Sequence, residues 1–220
     1  MTRYHHGDLR AAILAEARAV IDAHGDGDLS LRSLATAVGV SPNAPYRHFP
    51  VKESLLAALA GEGFAELTAR FHSHDGPDGR TRLEGYLTEY LQFTRRSPGL
   101  YRLMFGRDLD PLSCDPDLGV QAQACFRALM SAVSQVTGQS PDAPGVAREA
   151  AMVWSLSHGA ALLDIDRATA FLPSAERPHA ADLARLLIEG LVARAPAAAA
   201  TTDHANDPQG RRIAEVEDGL

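Results

Sequence analysis

Residues 29–52 read LSLRSLATAVGVSPNAPYRHFPVK, and the rest of the chain is organised around them. From Ser30 to Val38 the apolar residues Leu31, Leu34, Ala35 and Val38 recur at helical spacing, which predicts a helix with one buried face. Ser30 is a good N-cap, because its hydroxyl can accept from a free N–H of the first turn. Gly39 stands where a helix C-terminus wants a residue tolerant of positive φ. Ser41 then caps a second, shorter helix with Pro42 at its first position, where a missing N–H costs nothing. That helix carries Asn43, Tyr46, Arg47 and His48, with Lys52 just beyond, and no acidic residue lies between Gly39 and Lys52. Helix, tight turn and cationic second helix form the pattern of a helix-turn-helix, which lays its second helix in the DNA major groove. Pro45 falls inside that second helix and removes one backbone donor. The outcome is either a distorted first turn or a helix that starts nearer Asn43.

Working outward, Tyr4 to Ala23 reads as a first helix with an apolar stripe at Leu9, Ile13, Ala17, Val20 and Ile21, ended by Gly25. Pro50 breaks the chain after Phe49, and Val51 opens a longer helix to Phe71 with Leu55, Leu56, Leu59, Phe64 and Leu67 on one side. HSHDGPDGR, residues 72–80, is a loop and the clearest boundary. Beyond it, helical stretches run over 81–96, 98–106, 117–137, 144–170 and 179–194. No alternating run suggests a sheet. The expectation is an all-α chain: an N-terminal three-helix bundle over 1–50, a connecting helix over 51–72, a helical body over 73–195 and a disordered tail over 196–220, too poor in apolar surface to offset its chain entropy.

The 220 residues carry a formal charge of −7. An acidic chain is not an obvious nucleic-acid binder, so the placement of charge matters more than its sum. Residues 1–60 are balanced, with Arg3, Arg10, Arg18, Arg32, Arg47 and Lys52 against Asp8, Glu16, Asp22, Asp26, Asp28 and Glu53, so the remainder carries the whole deficit. Cys114 and Cys125 form neither a Cys-x-x-Cys pair nor a metal-ligand spacing with histidine, which suits a reduced, cytoplasmic setting. No apolar run approaches the ~18 residues of a membrane span, and no signal-peptide core opens the chain. Neither a Gly-rich phosphate loop, nor a nucleophile turn, nor a metal-spaced His/Cys set is present, so the sequence offers no enzyme and asks for no cofactor.

On these residues the chain from Gly7 to Leu67 resembles the TetR (tetracycline-repressor-like) family of bacterial transcription regulators. The matching run is LSLRSLATAVGVSPNAPYRHFPVKESLLAAL, with Tyr46-Arg47-His48-Phe49 followed by Lys52-Glu53 and Leu55-Leu56. Trp154-Ser-Leu-Ser-His158-Gly159 looks like the Trp…His-Gly motif of one C-terminal subtype. The resemblance implies a homodimer of Ω shape, with a reading head, a connecting helix and a body that holds a ligand pocket and the dimer face. Such a dimer binds a near-palindromic double-stranded operator and leaves it when a small apolar or aromatic molecule fills the pocket.

By the family pattern Tyr46 and His48 approach phosphates, while Lys52 supplies a point charge beside the N–H groups of the connecting helix. Asn43 and Arg47 are the candidates for base edges, because Asn can pair bidentately with adenine and Arg with guanine, while Arg47 can equally lie on a phosphate. Ser41 and Arg32 are further backbone candidates, and Phe49 belongs to the core. In the body, Tyr86, Tyr90, Phe105, Phe126, Met130, Trp154 and His158 are the candidate pocket residues, since a pocket needs an apolar lining with a few polar groups. Leu162, Leu183, Leu187 and Leu191 are the candidate dimer contacts. Two other functions fit parts of the sequence: a redox-sensing regulator that signals through Cys114 and Cys125, and a helical interaction protein without DNA binding.

Overall fold

The structure is a computed structural model that describes residues 9–25, 29–74, 76–106 and 116–194. Among the described residues there are eight α-helices and no strand: α1 (Leu9–His24), α2 (Leu31–Ala37), α3 (Lys52–His72), α4 (Gly79–Arg96), α5 (Pro98–Phe105), α6 (Pro116–Thr137), α7 (Val146–Ile165) and α8 (Ala180–Arg194), with single 3-10 turns at Pro45–Arg47 and Ser174–Glu176. The all-α expectation stands. Tyr4 to Gly7, Asp26, Asp28, Cys114 and the tail after Arg194 lie outside the described residues.

Ser30 caps α2 as its position suggests, its hydroxyl accepting the Ser33 N–H at 3.1 Å. At the other end Gly39 has φ +75°, the Val40 N–H reaches the Ala35 carbonyl, and the Gly39 N–H reaches that of Thr36. Those two bonds satisfy carbonyls the helix would otherwise leave open.

The second helix of the motif differs from expectation. Residues 42–44 form a turn, and a single 3-10 turn covers Pro45–Arg47. Pro45 has no N–H to give the Ser41 carbonyl, so Ala44, one residue earlier, donates to it at 2.9 Å. Pro50 then disfavours helical backbone at Phe49, and the segment has no room to lengthen.

Leu14, Ala17, Leu34, Phe49 and Leu55 are buried together, and the core continues without a break into the body. The continuity runs along α3, which packs on α1, α4, α5 and α6. α5 bridges the two parts as well. A Cβ on Gly99 would collide with the Ile21 carbonyl oxygen of α1, so only glycine allows α5 to sit that close. In the body, α7 ends at Ile165, five residues before the expected Ala170. Arg167 takes φ 53° while the Ala168 N–H bonds the Leu163 carbonyl, which closes the helix as Gly39 closes α2.

Candidate DNA-binding face and ligand cavity

In the head, Arg32, Ser41, Asn43, Tyr46, Arg47 and His48 are all exposed, whereas Pro45 and Phe49 are buried beneath them. Burial of Pro45 turns the short segment outward, and Phe49 anchors its end under the Arg10 guanidinium, 5.6 Å from the ring centre. Ser41, Asn43, Arg47 and His48 share one concave surface with Leu9 and Val40. Lys52, half-buried, opens α3 beside them. Ser54 holds that helix start in shape: its hydroxyl donates to the Val51 carbonyl at 2.7 Å and accepts the Val51 N–H at 3.4 Å. The face therefore combines two guanidiniums, an ammonium, an imidazole, a phenol and a carboxamide.

A cavity of about 320 Å³ lies in the body between α3, α4, α5, α6 and α7. Of the expected lining residues it gathers Tyr86, Tyr90, Phe105, Phe126 and Trp154; Met130 and His158 are not in its wall. Met130 packs half-buried against the core instead. The other lining residues are Phe64, Phe71, Leu87, Met104, Gly106, Ala122, Cys125, Leu129 and Ser157. Phe64 belongs to the apolar stripe of the connecting helix and Phe71 lies near its end, and that side of α3 faces core and cavity alike. Phe64 meets Phe105 edge-on at 5.3 Å, and Phe71 stacks on Tyr86 at 17°. Trp154, 38% exposed, stands against Phe105 and Phe126 with ring centres 5.8 and 6.3 Å away.

Behind the wall, His158 closes a chain of polar groups. The Tyr90 and Tyr101 hydroxyls are 2.6 Å apart, and His158 Nδ1 lies 2.5 Å from the Tyr101 hydroxyl and 3.4 Å from that of Tyr90. Burial pushes the Tyr90 and Tyr101 phenols far above their ordinary value and lowers the His158 imidazole below its own, so all three are neutral at physiological pH. Tyr101 is fully buried and Tyr90 nearly so, and these bonds spare both hydroxyls an unpaired burial.

Two regions of the chain match families of known proteins. Residues 13–59 match the bacterial regulatory proteins of the tetR family, and residues 83–191 match the tetracyclin repressor-like C-terminal domain. The chain belongs to the TetR family. A Rhodococcus protein of unknown function superposes with a TM-score of 0.71 at 27% identity, over 88% of this chain and 98% of that one. A bacterial regulatory protein of the tetR family, also from Rhodococcus, gives 0.59 at 22% over 86% and 98%, a likeness of fold. The nucleoid occlusion factor SlmA of Edwardsiella ictaluri is 38% identical over 87 residues, 39% of this chain and 44% of that protein. The chain thus spans less than half the length of the curated relatives it matches.

The two matches fall on the helix-turn-helix head and on the helical body that holds the cavity. No described helix is long and apolar enough to cross a membrane. Of the candidate dimer contacts, Leu187 and Leu191 are buried within the subunit, and Leu162 and Leu183 are half-covered by it. Apolar surface is left uncovered at Met152, Leu156 and Leu163 on α7 and at Leu186 and Val192 on α8. Cys125 is buried in the cavity wall, and burial pushes its thiol up to about 11, the reverse of what a reactive thiolate needs.

Proposed function

We propose that the protein is a ligand-released repressor that binds a near-palindromic operator as a homodimer. The observation that carries this reading is α3, one unbroken helix of 21 residues. It starts at Lys52 on the basic face and places Phe64 and Phe71 in the cavity wall. At ~1.5 Å per residue it spans ~30 Å, so a shift imposed at the cavity end is carried to the head. In this reading Tyr46, His48 and Lys52 hold phosphates, Ser41 and Arg32 support them, and Asn43 and Arg47 meet base edges.

The two heads are set by a dimer face of α7 and α8. Met152, Leu156, Gly159 and Leu163 recur three to four residues apart on the side of α7 opposite its buried stripe. A Cβ on Gly159 would meet nothing within 4 Å, which leaves room for a close helix crossing there. Trp154, His158 and Gly159 also fit the Trp…His-Gly subtype, with the histidine tied to Tyr101.

A mobility-shift titration of the folded protein with DNA flanking its own gene tests this reading. A shifted complex that dissolves when a cavity ligand is added supports it. Failure to shift any nearby upstream DNA overturns it in favour of a helical interaction protein.

A further inference from the structure

The cavity wall contains no Asp, Glu, Lys, Arg or His among the described residues, and its polar side chains are Tyr86, Tyr90, Cys125, Trp154 and Ser157. Two of these have committed their donors to the main chain. The Tyr86 hydroxyl donates to the Cys125 carbonyl at 2.9 Å, and the Ser157 hydroxyl donates to the Val153 carbonyl at 2.8 Å. The Cys125 thiol is a weak donor. Tyr90 is different. Its hydroxyl meets another side-chain hydroxyl, that of Tyr101, and Trp154 reaches the same oxygen. The Tyr86 and Ser157 hydroxyls can still accept, but the one strong donor that the wall can free lies at Tyr90, in the corner where α4 meets α7.

The chain behind that corner can run either way. Neutral His158 can accept at Nδ1 from Tyr101, in which case Tyr90 donates to Tyr101 and is left as an acceptor. The other tautomer donates from Nδ1 to Tyr101, Tyr101 donates to Tyr90, and Tyr90 keeps its own proton to give. A corner of this kind accommodates an oxygen that donates or one that accepts. Among the described residues it has no fixed charge to match a carboxylate or an ammonium, and burying such an ion without a partner costs far more than burying a neutral group. At about 320 Å³ the space sits near the lower end of small-molecule pockets, which run from ~300 to ~1,000 Å³.

We propose that the cavity takes an uncharged molecule of one or two rings, apolar except for a single hydroxyl or carbonyl oxygen that hydrogen-bonds to Tyr90. The inference rests on the reading of this cavity as the effector site, and binding to it can be measured without DNA.

Trp154 is the chain's single tryptophan and stands in the wall, so its fluorescence reports occupancy directly. Four probes of matched shape are titrated into the full-length protein: tert-butylbenzene, para-tert-butylphenol, para-tert-butylacetophenone and para-tert-butylbenzoate. The phenol and the ketone are expected to bind ~10-fold tighter than the hydrocarbon, the worth of one good hydrogen bond. The benzoate is expected to bind at least ~10-fold more weakly than the phenol. Tyr90→Phe keeps the ring packing and leaves Tyr101 bonded to His158, so the variant folds. It should bring the phenol and the ketone down to the hydrocarbon and leave the hydrocarbon unchanged. Tightest binding by the benzoate, an undiminished phenol preference in Tyr90→Phe, or no binding by any probe up to its solubility limit overturns the proposal. Binding in the expected order without release of DNA upholds it and refutes ligand-controlled repression instead.

Discussion

Lys52 and His158 illustrate how differently a single side chain can act at the two ends of this molecule. Lys52 is the only lysine in the chain and opens α3, where its ammonium adds to the positive end of the helix dipole. Replacing it by Ala should weaken binding to all DNA sequences alike and flatten the slope of log affinity against log salt by ~1, as read from anisotropy titrations at several salt concentrations. An unchanged slope would remove Lys52 from the phosphate contacts. His158 acts through protonation and burial. Its folded pKa is held below the ordinary 6.5 because burial disfavours the charged ring. The unfolded chain therefore binds a proton more readily as pH falls through 6.5, and stability drops on the acid side of that value. Urea melts at neutral and mildly acidic pH should show this loss, with a smaller loss in His158→Asn. Equal acid sensitivity in the two proteins would refute the assignment.

Among the elements, α1, α3, α4 and α5 are tied by an ionic chain as well as by apolar packing. Arg18 on α1 donates to Glu66 on α3 at 2.6 Å and to the Ser97 hydroxyl at 2.7 Å. Glu66 also accepts from Arg70, which lies 3.5 Å from Glu89 on α4, and Glu89 pairs with Arg96 and His74. Asp22, near Arg18, accepts the Leu100 N–H at the start of α5. Burial alone would raise the Glu66 carboxyl, but the hydrogen bonds from Arg18 and Arg70 outweigh it and hold the group below the usual carboxylate range. The charges are only partly buried, so each pair is worth little alone, and the network matters because two arginines lose a partner together. Glu66→Gln should cost about 1 kcal/mol in urea melts, with the loss shrinking in high salt. A neutral result at low salt would show that apolar packing alone joins head and body. Because the Glu66 carboxyl is held low, its contribution is present above its unfolded value of 4.5 and fades as pH falls through the folded one.

For the whole molecule, the uncovered apolar residues of α7 and α8 predict the assembly. Leu156, 52% exposed, sits in the middle of the α7 stripe. Leu156→Lys places a charge where two helices would meet, so sedimentation velocity should find monomers at micromolar concentration, with operator affinity reduced at least ~10-fold. A dimer of wild-type strength would move the interface elsewhere. Circular dichroism should be unchanged, since Leu156 does not belong to the subunit's own core.

Much of this protein is local, and local features are legible in a sequence. Helical periodicity placed every α-helix from α3 to α8 and the pair α1 and α2, because which face of a helix is buried follows from the spacing of its own apolar residues. The Ser30 cap and the Gly39 stop are likewise properties of a few adjacent residues. Pro45 was a local signal with two outcomes, and the choice between them depended on distant groups. Its ring is buried under the head while Pro50 stops the segment, and the result is one 3-10 turn. The cavity wall was only half visible. Aromatic residues of the body marked Tyr86, Tyr90, Phe105, Phe126 and Trp154, but Phe64, Phe71 and Cys125 look like ordinary core in any periodic pattern. A residue lines a cavity when packing from several helices fails to close over it, and no single helix carries that information. The same holds for Leu187 and Leu191. The sequence by itself determined that α8 has an apolar face; the packing of α4, α6 and α7 decided which part of that face the subunit covers and which part, Leu186 and Val192, it leaves for another surface.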